Sequence, residues 1–423
     1  MRTLLKNGTL VNPRGVSGKM NVAIEDGVIS AVGKCEGAFD KTIDCTGKTV
    51  MPGFIDMHVH LREPGFEYKE DIASGTNAAV HGGFTAVACM PNTAPVNDDV
   101  SVLAYIKEKA AQAGNCRVYP VCAITKGLKG AELTEMGLLM QNGAIGFSDD
   151  GKPVAQSNRM RLAMQYSRGF DALIMSHCED TSLADEGVMN EGQYSVMLGL
   201  AGICGAAESS MVARDLLLAK QYRARLHICH VSAEESVELI RAAKGKGVSV
   251  TCETAPHYFS ADESWVESYD TNTKMNPPLR AAKDVKAIKE GLADGTIDAI
   301  ATDHAPHCLD EKRTEYNIAL NGIIGLQTSF SLGITNLVNT GVLTLEQLVE
   351  KMSCRPAEIL RVKGGVIKKG EPADITVADT SAHIVYTPEM MVSKSKNSPF
   401  FNRDLFGVIE YTIVGGQVKY ERY

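Results

Sequence analysis

The chain has one tryptophan (Trp265), no CxxC pair, no run of lysine and arginine, and no stretch approaching about 18 uninterrupted apolar residues. Each absence excludes something. Without a basic stripe there is no electrostatic footprint for a nucleic acid, and the formal net charge of −8 points the same way. Without a long apolar run no membrane span is expected. The opening MRTLLKNGTLVNP lacks an apolar core followed by a small-residue cleavage site, so no signal peptide is expected either. The 11 cysteines are scattered and odd in number, which suits reduced thiols in a cytoplasmic protein rather than a disulfide framework. Cys89, Cys122, Cys229 and Cys252 lie inside apolar runs and read as small buried hydrophobes. Neither GxGxxG nor GxxxxGK[ST] occurs, which removes the nucleotide fingerprints. An acidic chain that handles an anionic small molecule must then supply positive charge locally, at its site.

What the chain does have is a repeating strand–helix pattern. Its 423 residues are too many for one simple core and suit a large domain with a smaller one. Eight short apolar or β-branched runs, each bounded by turn residues, fall at 54–60, 84–92, 117–125, 144–150, 172–180, 225–232, 248–257 and 298–307. Helical stretches separate them, among them 98–114, 208–222 and 232–247. The last opens with Ser232 and Glu235, a capping-box spacing, and closes on Gly245 and Gly247. Eight βα units in about 250 residues predict a closed (β/α)₈ TIM-like barrel over residues 52–364. The ends differ. Residues 1–51 and 365–423 carry short alternating strands broken by Asn-Gly, Asp-Gly and Thr-Gly pairs. They are expected to form one smaller β-sandwich domain from the two chain ends.

Catalytic groups of such barrels collect at the C-terminal ends of the strands. Five of the eight ends carry a metal-type ligand: His58 and His60 on the first, Asp149-Asp150 on the fourth, His177 on the fifth, His230 on the sixth and Asp303 on the eighth. Residues two apart on a strand point the same way, so His58 and His60 can grip one ion. Four imidazoles and two carboxylates exceed the needs of one tetrahedral ion and suit two zinc ions that share a carboxylate. His227 is expected to pack away from His230, His81 to be structural and His383 to lack partners, while His257 is ambiguous.

PGFIDMHVHLREPG (52–65), MPNT (90–93), GFSDDG (146–151), MNPPLR (275–280), ATDHAPH (301–307) and GIIGLQTSF (322–330) together resemble the amidohydrolase superfamily, and within it the first class of bacterial dihydroorotases. The resemblance spans nearly the whole chain. HxH is superfamily-grade; HVHLREPG with MPNT and NPPLR is far more specific. The resemblance implies that His58, His60 and Asp303 hold one zinc, that His177 and His230 hold a second, and that Asp150 bridges. Lys152 is the rival bridge, since many relatives use a carboxylated lysine. Arg62 would clamp a substrate carboxylate, with Asn92 and His307 completing the grip and His60 close to the substrate. Asn276, and backbone groups at Asn321 and Gly322, would hold ring amides. The activity implied is the reversible hydrolysis of (S)-dihydroorotate to N-carbamoyl-L-aspartate in de novo pyrimidine synthesis, with Asp303 as the catalytic base. A homodimer and an association with aspartate transcarbamoylase come with the resemblance. The rival readings are a hydantoinase, dihydropyrimidinase or allantoinase, whose substrates lack that carboxylate, and a dead barrel serving as a scaffold. The polar segment 309–322 is expected to be a lid over the mouth.

Overall fold

The structure is a computed structural model that describes residues 1–422. Its strands run β1 (Arg2–Leu10), β2 (Gly18–Glu25), β3 (Val28–Gly33), β4 (Lys41–Asp44), β5 (Thr49–Pro52), β6 (Phe54–Val59), β7 (Phe84–Cys89), β8 (Arg117–Pro120), β9 (Leu173–Ser176), β10 (Met189–Asn190), β11 (Gly202–Ile203), β12 (Arg225–Ile228), β13 (Val250–Thr254), β14 (Ala299–Ile300), β15 (Ile375–Val385), β16 (Asp404–Val414) and β17 (Gln417–Glu421).

The two chain ends share one sheet. Its order is β17-β16-β15-β5-β1-β2-β3, with β4 beside β1. The seam is the antiparallel pair β5–β15, which joins residues more than 300 positions apart. Leu5, Val22, Ile24, Val50, Ile375, Val377 and Ile413 pack as its buried core. The Asp26-Gly27 pair makes the β2–β3 hairpin, both residues at positive φ (49° and 85°), as a tight hairpin turn demands. The Asn7-Gly8 pair does not turn the chain. Asn7 takes a positive φ of 63° inside β1, and the pairing with β2 slips between Leu5 and Gly8, so the pair forms a bulge.

The barrel closes as eight parallel units. β6, β7 and β8 form one run and β9, β12, β13 and β14 another, every pairing parallel. Between them residues 144–150 do not form a strand. Phe147 alone bridges Cys122 on one side and Ile174 on the other. Beyond it Asp149 is drawn to the Thr125 N–H (2.9 Å) and Asp150 N donates to Ser148 Oγ (3.1 Å), so the backbone leaves the ladder. The bridge Val59–His304 closes the ring. Inside it lie Ile55, Met57, Ala86, Ala88, Val121, Met175 and Ala301.

The helices follow the expected spacing with one correction. Asp99 caps Val100–Ala113 and Gly114 ends it in the left-handed region. The expected capping box at Ser232 does not form. That helix starts at Glu234, and the Ser232 hydroxyl donates to the buried Glu208 carboxylate. Among the described residues no helix is long and apolar enough to cross a membrane. All 11 cysteines are free thiols. Burial pushes those of Cys89, Cys229 and Cys252 up to about 12, as their apolar runs foretold.

Candidate metal centre and substrate cavity

The six side chains proposed as ligands arrive from five places and converge at the barrel mouth. Asp150 sits at their centre. Its Oδ2 faces His58 Nε2 (3.4 Å) and His60 Nε2 (3.5 Å); its Oδ1 faces His230 Nε2 (3.1 Å) and His177 Nδ1 (3.4 Å). Asp303 Oδ1 completes the first pair, 3.1 Å from His60 and 3.6 Å from His58. The carboxylate of Asp150 therefore joins two histidine pairs, one per oxygen. The backbone is bent to achieve this. His230 and Asp303 are non-glycine residues at positive φ (34° and 47°), a conformation that costs on the order of 1–3 kcal/mol and concentrates at functional sites.

These residues fit a metal. His58 Nε2 is buried with no hydrogen-bond partner, an orphaned lone pair aimed between two carboxylates. His177 Nδ1 and His230 Nε2 lie 2.9 Å apart beside one carboxylate oxygen, which a cation among them would reconcile. Donor atoms of His58, His60 and Asp303, and of His58, Asp150 and His230, each lie within 4.8 Å of one another. The electrostatics agree. Burial would depress the His58 imidazole, yet Asp150 and Asp303 hold it well above its ordinary value. Burial likewise opposes His177, and Asp150 and Glu179 still push it up to about 10. Asp303 is held at about 2, against its burial, by the histidines around it. Burial lowers the His60 imidazole instead, and the two carboxylates between the histidines leave negative charge that a metal would satisfy.

The far nitrogen of three of the four imidazoles is also engaged. Glu253 Oε1 takes His58 Nδ1 (2.9 Å), Asn92 Oδ1 takes His60 Nδ1 (2.8 Å), and Glu179 Oε2 lies 3.4 Å from His177 Nε2. Such partners fix the tautomer and turn the other nitrogen toward the metal. Sequence reasoning missed Glu253 and Glu179. Both left a signal: Glu253 is a lone acid inside the apolar run VSVTCET, and Glu179 stands two residues after His177, on its face. His227 is fully buried, with its Nδ1 on Thr251 Oγ1 (2.8 Å), and its Nε2 lies 3.2 Å from Glu253 Oε2 without a hydrogen bond between them.

Beside the metal end lies a cavity of about 190 Å³ lined by His60, Arg62, Asn92, Asp150, Gly151, His177, Asn276, Asp303, Ala305, His307, Asn321 and Gly322. All seven residues expected to contact substrate line it. A larger hollow of about 790 Å³ nearby shares only His307 with it and contains none of the ligand cluster. Arg62 is buried at positive φ (63°), with its Nε on the Pro306 carbonyl (3.2 Å). Burial lowers its guanidinium to about 10, so it stays charged at neutral pH. His307 beside it is driven to about 3 by burial and by Arg62, Lys69 and Lys312, and is neutral. Asn276 gives its Nδ2 to Glu179 Oε1 (2.9 Å), which leaves its carbonyl oxygen for the cavity. Gly322 has φ +151°, and a Cβ there would fall 2.6 Å from the Ala305 carbonyl oxygen, so no side chain fits. Its N–H is already donated to the Lys274 carbonyl (3.0 Å), so it has no donor left for a ring amide.

The weaker candidates separate cleanly. Lys152 is exposed, while Asp149 bonds Thr125. His81 bonds the Asn77 carbonyl (2.8 Å) and packs on Tyr420, a structural place. His383 does have a partner, Asp404, at 3.1 Å. His257 is buried with an unpartnered Nε2, and burial lowers it to about 4. Segment 309–322 is pinned across the mouth: Lys312 Nζ donates to the carbonyls of Thr271 (2.8 Å), Lys274 (3.1 Å) and Leu320 (2.8 Å).

The family described as dihydro-orotase-like matches residues 47–236. The dihydroorotase of Geobacter metallireducens is 53% identical over 425 residues, covering 100% of both chains, and that of Acetivibrio thermocellus is 52% identical over 98% of each. The chain belongs to the dihydroorotase family. Its fold is shared more widely. The L-hydantoinase (dihydropyrimidinase) of Arthrobacter aurescens superposes with a TM-score of 0.89 at 26% identity, covering 98% of this chain and 95% of that one. The dihydropyrimidinase of Brevibacillus agri gives 0.88 at 22% identity, over 99% and 95%, a likeness of fold alone. Dihydroorotases and hydantoinases are metal-dependent amidohydrolases, and the His–Asp cluster is where this dihydroorotase-family chain can bind its metal.

Proposed function

We propose that this chain interconverts (S)-dihydroorotate and N-carbamoyl-L-aspartate, that it belongs to the first bacterial class of its family, and that it holds two zinc ions. The observation that carries the reading is a cavity that four of the six ligand residues (His60, Asp150, His177 and Asp303) share with a buried, charged arginine. His58, His60 and Asp303 would hold one zinc, His177 and His230 the other, with Asp150 between them in place of a carboxylated lysine. Zinc at such a centre lowers the pKa of water and places positive charge beside an amide oxygen.

The remaining work falls to the chain. Arg62 grips the substrate carboxylate in a forked, charge-assisted pair, helped by Asn92 Nδ2, with His307 beside them completing the wall of the subsite. Asn276 offers its carbonyl oxygen to a ring N–H. Asp303 turns Oδ1 to the histidines, and its Oδ2 takes the proton of the attacking water and delivers it to the departing ring nitrogen. In reverse, ring closure consumes a proton, so cyclisation is favoured at lower pH and hydrolysis at higher pH.

The hydantoinase reading has the structural likeness in its favour. Arg62 argues against it, since hydantoin and dihydrouracil offer no carboxylate to pair. Assays in both directions, with hydantoin and dihydrouracil alongside, decide between them, and zinc counting accompanies them. We expect turnover of dihydroorotate and two zinc per chain; turnover confined to the carboxyl-free rings overturns the reading. We further place residues 1–51 and 365–423 in one small domain and 52–364 in the barrel. We propose a cytoplasmic homodimer able to associate with aspartate transcarbamoylase. Sedimentation, alone and with that partner, tests the assembly.

A further inference from the structure

The cavity's carboxylate end is carried by loops. Arg62 and Lys69 follow β6, His307 follows β14, and Gly322 ends the segment that crosses the mouth. All of these loops are tied to one short stretch, residues 393–398 (SKSKNS), which lies outside the barrel strands, in the excursion between β15 and β16 of the chain-end sheet. Asn397 is buried and makes three side-chain bonds. Its Nδ2 donates to the carbonyls of Ala305 (3.0 Å) and Gly322 (3.0 Å), and its Oδ1 accepts the His307 N–H (3.1 Å). Its own carbonyl accepts from Ile324 N at 2.9 Å. Ser395 Oγ donates to the Lys69 carbonyl (2.7 Å). The Ser393 hydroxyl and Lys394 N–H (3.2 Å) bond the two oxygens of Glu70, which is buried two residues before the helix Ile72–His81. Arg62 is linked to the same assembly through the Pro306 carbonyl. No residue of the stretch hydrogen-bonds to any of the six metal-type side chains.

We propose that residues 393–398 are a strap that positions the carboxylate subsite, with Asn397 as the positioning residue that sets affinity for the substrate's anionic group. This rests on the reading of Arg62 and His307 given above. A forked guanidinium–carboxylate pair works only when its parts hold to about 0.5 Å, and surface loops do not hold that by themselves. Asn397 has the one chemistry that serves here. It donates twice to carbonyls and accepts once from an N–H, so neither aspartate nor leucine can replace it.

The test compares wild type with Asn397→Ala and the milder Ser395→Ala. KM and kcat are read for dihydroorotate, an inhibition constant for orotate, and the zinc content by metal analysis. For Asn397→Ala we expect KM and the orotate constant to rise together by roughly 10-fold, with kcat within about twofold and zinc unchanged. Ser395→Ala should move the same two constants by a smaller factor and fold normally. The strap proposal falls if both variants keep wild-type KM and orotate affinity, or if kcat or zinc is lost while KM stands. Failure of wild type itself to turn over dihydroorotate would overturn the functional reading instead.

Discussion

At the metal end of the cavity the side chains leave the barrel at strand termini, are buried almost completely and are braced by groups that the barrel itself carries, as Glu253 of β13 braces His58. At the other end Arg62, His307 and Gly322 stand on loops, and what fixes them comes from a distant part of the chain, through Asn397. The two ends thus divide the labour: one is rigid because the barrel is, the other because it is tied from outside. Chemistry and recognition should then fail separately.

The sharpest way to break that division is Asp303→Asn. Asparagine keeps an oxygen for the histidine side but cannot take a proton, so turnover should fall by at least about 10³-fold while most of the metal stays. Near-normal turnover would deny Asp303 its role. Next is Arg62→Gln, which leaves a carboxylate unpaired in a buried place. Losing a charged hydrogen-bonded pair costs about 2–3 kcal/mol, so kcat/KM for dihydroorotate should drop roughly 30- to 150-fold, with metal content unmoved. An equal loss of zinc would mean that the two ends are not separate. Glu179→Gln probes the boundary, because Glu179 touches both His177 and Asn276. Replacing a bracing carboxylate of this kind typically costs 10- to 100-fold in metal affinity or activity. Here about 10-fold is expected, shared between a higher zinc dissociation constant and a higher KM. A change in only one of them would assign Glu179 to one end.

The same division explains what could be read in the sequence. His58 and His60 announce themselves because strand periodicity puts i and i+2 on one face, and His177, His230 and Asp303 because strand ends are visible as the edges of apolar runs. Arg62 lies two residues past the pair and inherits their legibility. Asn397 had no signal: its side-chain partners are 75 and more residues away in the chain, and an asparagine in a Ser/Lys-rich stretch looks like any loop. Local patterns misled where a tertiary partner competed. Ser232 had the spacing of a cap and gave its hydroxyl to Glu208, and the fourth barrel strand shrank to Phe147 because Asp149 bonds Thr125. Asn7-Gly8 had the letters of a turn and became a bulge, since β1 needs its full length to meet β2, β4 and β5.

The smallest effect lies in the chain-end sheet, away from the site, and it tests whether a half-buried carboxylate there serves stability alone. Asp379 accepts from Ser381 N (2.9 Å), Ser381 Oγ (2.7 Å) and Ala382 N (3.0 Å), and pairs with Lys48 (3.0 Å). Burial works to raise it, but these donors hold it at about 2, below its ordinary 3.8. A carboxylate depressed on folding stabilises the protein above the unfolded value. That contribution is present above about 4 and disappears as the pH falls toward 2. At roughly 1.36 kcal/mol per pKa unit, discounted for a side chain that is 21% exposed, it amounts to about 1–2 kcal/mol. Asp379→Asn should therefore lower stability by that amount at pH 7, read from denaturant unfolding, and the gap to wild type should narrow by pH 3. Metal lost on acidification affects both proteins alike and cancels in the difference. The variant should keep wild-type KM, kcat and zinc. A gap that persists unchanged into acid would show that Asp379 contributes through packing rather than charge. A raised KM would show that the sheet reaches the site by a route other than residues 393–398.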